Sequence, residues 1–170
     1  YVERLDDGTE FDWKGGLQPL FDESDIDLTY IGSDDAIVHP GDLVNADAYI
    51  SRTNKISEKS LENADDLKII TRAGAGYDNL DLEALTRNGI LVTHAPQGPT
   101  KAVAQATVGL LIACAHNMKE FEKTFHREGF QKGVNSRLGF NLFDRTLGII
   151  GGGSIGREVM KLIDPFDMDI

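Results

Sequence analysis

The sequence is poor in cysteine and in positive charge. Its one cysteine, Cys114, excludes a disulfide within the chain. There are 17 Lys and Arg against 28 Asp and Glu, giving a formal net charge of −11 and a pI near 4.7. Such a surface repels nucleic-acid phosphates and anionic membrane surfaces alike, so neither is expected as a partner. No secretory signal and no run of roughly 18 apolar residues occurs, and a cytoplasmic location is expected. Histidine is also scarce. His39, His116 and His126 have no sequence neighbour that suggests chemistry, and no metal site is expected. What remains is a globular composition, 41% hydrophobic and 26% charged, long enough for one domain or for one domain and part of another. The acidic excess gathers in residues 1–66, as high solubility or adaptation to salt would both produce.

The organisation is alternating. YVER at 1–4 reads as a strand stub, and a short helix is expected around 17–22. Strands are expected at 26–31 (IDLTYI), 47–51 (DAYIS), 67–71 (LKIIT) and 90–94 (ILVTH). Between them, 40–46 (PGDLVNA) reads as a short helix, and 57–64 as a helix with Ser57 as N-cap. Residues 80–88 read as a helix with Leu82 and Leu85 inward, stopped by Gly89. Consecutive βαβ units imply a parallel sheet with right-handed crossovers. From 100 to 128 the texture becomes helical without a break. Residues 102–115 are apolar nearly all round and are expected to be buried, with Cys114 an inert thiol inside. The second half is amphipathic, with Phe121 and Phe125 on one face. A continuous helix here would run about 40 Å, long enough to bridge two domains. The boundary is placed at its start, giving domains 1–98 and 99–170.

One motif carries chemistry. In TLGIIGGGSIGR at 146–157, Gly151, Gly153 and Gly156 form G-x-G-x-x-G after an apolar strand and at the opening of a helix. The first glycine permits the tight turn, the second lets backbone approach a pyrophosphate, and the third lets helix pack on strand. The N–H groups of Ser154 and Ile155 open the helix, where its dipole favours an anion. A dinucleotide site is therefore expected. The acidic residue that would read the ribose falls about 20 residues beyond the motif, so NAD and NADP both remain open.

Three stretches together resemble one family. LKIITRAGAGYDNLDLEALTRNGILVTHAP, TKAVAQATVGLLIACAHNM and RTLGIIGGGSIGREVMKLID, in this order and spacing, are similar to the D-isomer-specific 2-hydroxyacid dehydrogenases. The resemblance covers about residues 47–165. It implies a flavodoxin-like substrate domain joined by a long helix to the start of a Rossmann domain. It implies reduction of a 2-keto acid to a D-2-hydroxy acid, or the reverse, with NAD or NADP, in a homodimer.

The resemblance also implies site residues. The backbone amides of Ala73, Gly74, Ala75 and Gly76 would hold the substrate carboxylate, a small-residue loop at a strand end forming an anion nest. A turn that needs glycine for its backbone angles alone is the alternative. Arg52, just past another strand end, matches an arginine near the substrate, a planar donor suited to carboxylate. Thr107 matches a contact to the nicotinamide half of the cofactor, or else bonds its own helix backbone. Phe121 and Phe125 are candidate dimer contacts. The sequence departs from the family at Pro99, Gln105 and His94, the last standing where Asn is common and read as structural. The catalytic arginine, glutamate and histidine are expected beyond Ile170, so no catalytic residue is assigned within these 170 residues and they are expected not to turn over substrate alone. Two other readings stand beside this one: a non-enzymatic, dinucleotide-sensing corepressor of the same fold, and a flavodoxin-like binding module ending near residue 98.

Overall fold

Short apolar runs that end in polar loops can bury both faces only by lining up side by side under helices, and the first half of the chain does so. The computed structural model describes residues 2–3, 16, 18–31, 35–128 and 138–170. They fall into two compact units, residues 1–96 and 97–170.

The first unit is a five-stranded sheet of β1 (Val2–Glu3), β2 (Tyr30–Ile31), β3 (Ala48–Ser51), β4 (Ile69–Arg72) and β5 (Leu91–His94). All pairs are parallel and the order is β2-β1-β3-β4-β5. This 2-1-3-4-5 order is that of a flavodoxin-like sheet. The helices are α1 (Gln18–Phe21), a 3-10 turn at Glu58–Leu61 and α2 (Leu82–Arg87). Leu43, Tyr49, Ile56, Ile70 and Leu85 are fully buried at its centre. Burying a side chain such as Ile70 or Leu85 contributes about 1.5–3 kcal/mol. Helix α2 shows how local sequence sets its ends. Asp81 accepts from the Ala84 N–H at 3.0 Å, Arg87 lies in the last turn, and the Asn88 side chain donates to the Ala84 carbonyl at 2.9 Å. Gly89 then turns away with φ +68°.

Several local expectations are corrected. Strand 26–31 shrinks to Tyr30–Ile31, the two residues that find partners on β1 among the described residues. Residues 40–46 form successive turns instead of a helix, since Gly41 (φ +92°) and Asn45 (φ +60°) leave the helical region. The helix expected at 57–64 is a single 3-10 turn; the Ser57 N–H donates to Ser60 Oγ at 3.0 Å, and Asn63 (φ +65°) follows. Leu82 does not point inward. It is 40% exposed, and Ala84 fills the buried place beside Leu85.

The second unit packs α3 (Thr100–Ala115) on α5 (Ser154–Ile163). Ala104, Val159 and Ile163 are buried there, with Val108, Leu111 and Ile149 half-buried around them. The expected continuous helix is broken. α3 ends at Ala115, Asn117 takes φ +50°, and α4 (Met118–Glu128) starts anew. Asn tolerates the left-handed region better than most residues. The Ala115 carbonyl at the break accepts from the Phe140 N–H at 2.8 Å, where Gly139 passes too close for any side chain. Nor is 102–115 buried all round. Only Ala104 and Ala115 are buried in α3, Leu110 is 67% exposed and Cys114 is exposed, because among the described residues α5 packs along one face and leaves the others open. Among the described residues the strand expected at 146–150 reduces to one parallel bridge, Thr146 with Asp169, with no ladder to extend it. Part of the loop expected before it lies outside the described residues, as do parts of 1–17. No helix among the described residues is long and apolar enough to cross a membrane.

Candidate functional site

Three strands end level with one another. The register pairs Ser51 with Arg72 and Arg72 with His94, so the residues that follow share the C-terminal edge of the sheet. Arg52, the loop Ala73–Gly76 and His94 are therefore brought to one edge, where parallel α/β sheets bind ligands. A hydrogen bond between the Thr93 and Thr71 hydroxyls, 3.1 Å, locks β4 to β5 one residue earlier. The loop carrying Arg52 is anchored from below: Ile56 is buried, its N–H donates to the Asn79 carbonyl at 2.8 Å, and the Asn79 side chain donates to the Asn54 carbonyl at 2.7 Å. Arg52 itself is half-buried.

The loop Ala73–Gly76 is defined by where its polar groups go. Its three leading carbonyls are all held. Ala73 O accepts from Arg72 Nη1 at 2.8 Å, Gly74 O from the Ala95 N–H at 2.9 Å, and Ala75 O lies 2.9 Å from His94 Nδ1. A carbonyl only accepts, so Nδ1 carries the proton in that bond. Among the N–H groups, Ala73 donates to Ser51 O at 2.8 Å and Gly74 to Arg72 O at 2.8 Å. Those of Ala75 and Gly76 have no partner among the described residues. In a trans peptide the C=O of one residue and the N–H of the next point in opposite directions. Both carbonyls preceding the open amides are held from the end of β5, so both open N–H groups point away from β5. The result is a pair of adjacent, preorganised donors suited to a carboxylate. Of the four amides expected to serve, the structure leaves two open.

The Gly-rich turn lies in the second unit and shows its three glycines in different roles. Gly151 has φ +102°, a turn closed to side chains. A Cβ on Gly153 would meet nothing within 4 Å, so no protein atom requires glycine there. A Cβ on Gly156 would run into the Gly151 carbonyl. The N–H groups of Ser154, Ile155 and Gly156 open α5 without partners among the described residues, and Arg157 Nη1 donates to the Gly152 carbonyl at 3.0 Å. This donor set fits a phosphate: unpaired N–H groups at a helix start, a glycine whose freedom the protein itself does not use, and a cation beside them. Thr107, the other expected cofactor contact, is exposed in mid-α3 and donates to the Val103 carbonyl at 2.8 Å, leaving its hydroxyl only as an acceptor.

Sequence reasoning passed over His94 as a loop partner and Arg157 as part of the turn. The charge next to the motif could have flagged Arg157. Nothing local could have paired His94 with Ala75, 19 residues away. It also passed over the His39–Asp35 pair, 3.1 Å apart, which is half-exposed on both sides and has the geometry of a surface contact. No cluster of metal-ligating side chains occurs among the described residues.

An all-parallel α/β unit with two open amides at its C-terminal edge, and a second unit with a Gly-rich turn at a helix start, place the chain among α/β proteins. The comparisons narrow it. Residues 16–160 match the model of the D-isomer specific 2-hydroxyacid dehydrogenase catalytic domain, and the chain belongs to that family. It is 38% identical to a D-3-phosphoglycerate dehydrogenase of Methanocaldococcus jannaschii over 129 residues, 75% of this chain and 24% of that protein. It is 40% identical to a glyoxylate reductase of Thermococcus litoralis over 124 residues, 69% of this chain and 37% of that protein. The structure aligns with that of the TT0316 protein of Thermus thermophilus at a TM-score of 0.79 and 28% identity, over 98% of this chain and 53% of the other. The chain thus spans well under half the length of the curated relatives it matches.

Proposed function

We propose that this chain supplies the substrate-carboxylate loop and the dinucleotide-phosphate turn of an NAD- or NADP-dependent D-2-hydroxyacid dehydrogenase. The observation that carries the reading is the pair of open N–H groups at Ala75 and Gly76, fixed in direction by carbonyls that are all held. Two parallel N–H donors match the two oxygens of a carboxylate, and Arg52 on the same edge adds a positive, planar donor. The turn at Gly151–Gly156 takes the pyrophosphate on the open N–H groups of Ser154, Ile155 and Gly156, with Arg157 adding charge. A bound nicotinamide supplies or accepts the hydride; the residues present here bind and orient. A 2-keto acid and its 2-hydroxy acid share the carboxylate, so the nest serves either direction of reaction. A cytoplasmic location belongs to the same reading.

The test is an amide NMR titration of the chain with oxamate, an unreactive analogue of a 2-keto acid, and separately with NADH and NADPH. Oxamate is expected to move the Ala75 and Gly76 resonances, and a dinucleotide those of Ser154, Ile155 and Gly156. Dinucleotide binding with no oxamate response would favour the sensor reading instead.

A homodimer is part of the proposal. On α4 the rings of Phe121 and Phe125 stack at 6.3 Å and stay 43% and 48% exposed, beside an exposed Met118. Sedimentation of Phe121→Glu is expected to show a shift toward monomer relative to the unaltered chain; an unchanged distribution would remove α4 from the interface.

A further inference from the structure

We infer that His94 is a positioning residue for the carboxylate nest: its Nδ1–H, by holding the Ala75 carbonyl, aims the Gly76 N–H at the ligand. The inference rests on the carboxylate reading of the loop and goes further by assigning a side chain to the loop's geometry. Of the donors that hold the carbonyls before the two open amides, one is backbone, the Ala95 N–H on Gly74 O, and is fixed by the chain itself. The other is His94 on Ala75 O at 2.9 Å, the side-chain donor of the two. Because the peptide is planar and trans, rotating the 75–76 peptide to release this carbonyl would swing the Gly76 N–H away from its neighbour at Ala75. The pair would then no longer present two parallel donors.

The imidazole is itself held. Tyr77, one residue past Gly76, meets it edge to face at 5.4 Å and 86°. The ring is thus set by the far end of the same loop whose carbonyl it holds, so loop and histidine form one closed unit. Both rings are exposed, so neither serves the buried core of this unit. The bond needs only a proton on Nδ1, which the appropriate neutral tautomer and the imidazolium both provide. Asparagine can replace this function, since its Nδ2 lies about where Nδ1 lies on histidine, two bonds from Cβ.

The experiment compares the chain with His94→Asn, His94→Phe and His94→Ala, reading the Ala75 carbonyl ¹³C shift without ligand and oxamate affinity by amide NMR. Losing one oriented donor is expected to weaken oxamate binding about five- to tenfold in the Phe and Ala variants. Asn is expected to keep both the carbonyl shift and the affinity. Phe keeps the ring against Tyr77 but has no donor, so it separates packing from hydrogen bonding. If Phe binds as the unaltered chain does while Asn binds weakly, the ring acts by packing and the inference is overturned. If Ala binds oxamate as tightly as histidine does, it is overturned as well, with the carboxylate reading intact. If the unaltered chain itself gives no oxamate response at Ala75 and Gly76, the carboxylate reading fails and carries this inference with it.

Discussion

The loop at Ala73–Gly76 and the turn at Gly151–Gly156 both expose backbone N–H groups, and they do so by different means. In the first, carbonyls are held by outside donors, Arg72, Ala95 and His94, and the N–H groups left over are aimed by peptide geometry. In the second, a helix begins, so its first N–H groups have no partner in any case, and glycine geometry brings the chain around to that point. One site is built by its neighbours and the other by its own backbone. The first should therefore be sensitive to side chains around it and tolerant at Gly76, the second the reverse; at Gly74 a Cβ would meet the Arg72 guanidinium, itself one of those side chains.

Substitutions can break or sharpen this contrast. The largest expected effect is Gly156→Ala, because its Cβ meets the Gly151 carbonyl and backbone against backbone cannot relax. A loss of about 3 kcal/mol in denaturant unfolding is expected. Gly151→Ala comes next, about 1–2 kcal/mol, for forcing a side chain to φ +102°. Gly153→Ala is expected to leave stability within about 0.5 kcal/mol, since open space surrounds it. Its NADH titration should nevertheless weaken by about tenfold or more, because the methyl group occupies the path of the pyrophosphate. A stability loss at Gly153 equal to that at Gly151 would mean that the turn needs this glycine for its own fold. The smallest effect is Gly76→Ala. Its Cβ would lie 3.5 Å from an Asp78 carboxylate oxygen, an ordinary contact, so unfolding should change by less than about 0.5 kcal/mol. If Gly76→Ala costs as much as Gly151→Ala, both loops are glycine-built and the contrast fails.

What could be read from the sequence follows the range of the interaction. Helix α2 was legible over 80–88 because its stop at Gly89 acts within one turn; the Asp81 cap and the Arg87 cation are equally local and were not read. The Gly-rich turn was legible for the same reason. The parallel strands were legible as apolar runs, but the lengths of two were not: 26–31 and 146–150 depend on distant partners, and among the described residues Tyr30–Ile31 and Thr146 find them. The break at Asn117 carried a faint signal, the change from an all-round apolar helix to an amphipathic one, which was read as one helix changing its surroundings. At the nest, residue types marked the loop but not which amides were open. That depends on Ser51, Ala95 and His94, contributed by other strands.

The measurement that tests the central claim most directly is residue-resolved amide hydrogen exchange of the ligand-free chain. The account predicts slow exchange at Ala73 and Gly74, whose N–H groups are hydrogen-bonded, and rapid exchange at Ala75 and Gly76. Protection at Ala75 and Gly76 equal to that at Ala73 would show that these amides already have partners, and would contradict the carboxylate nest.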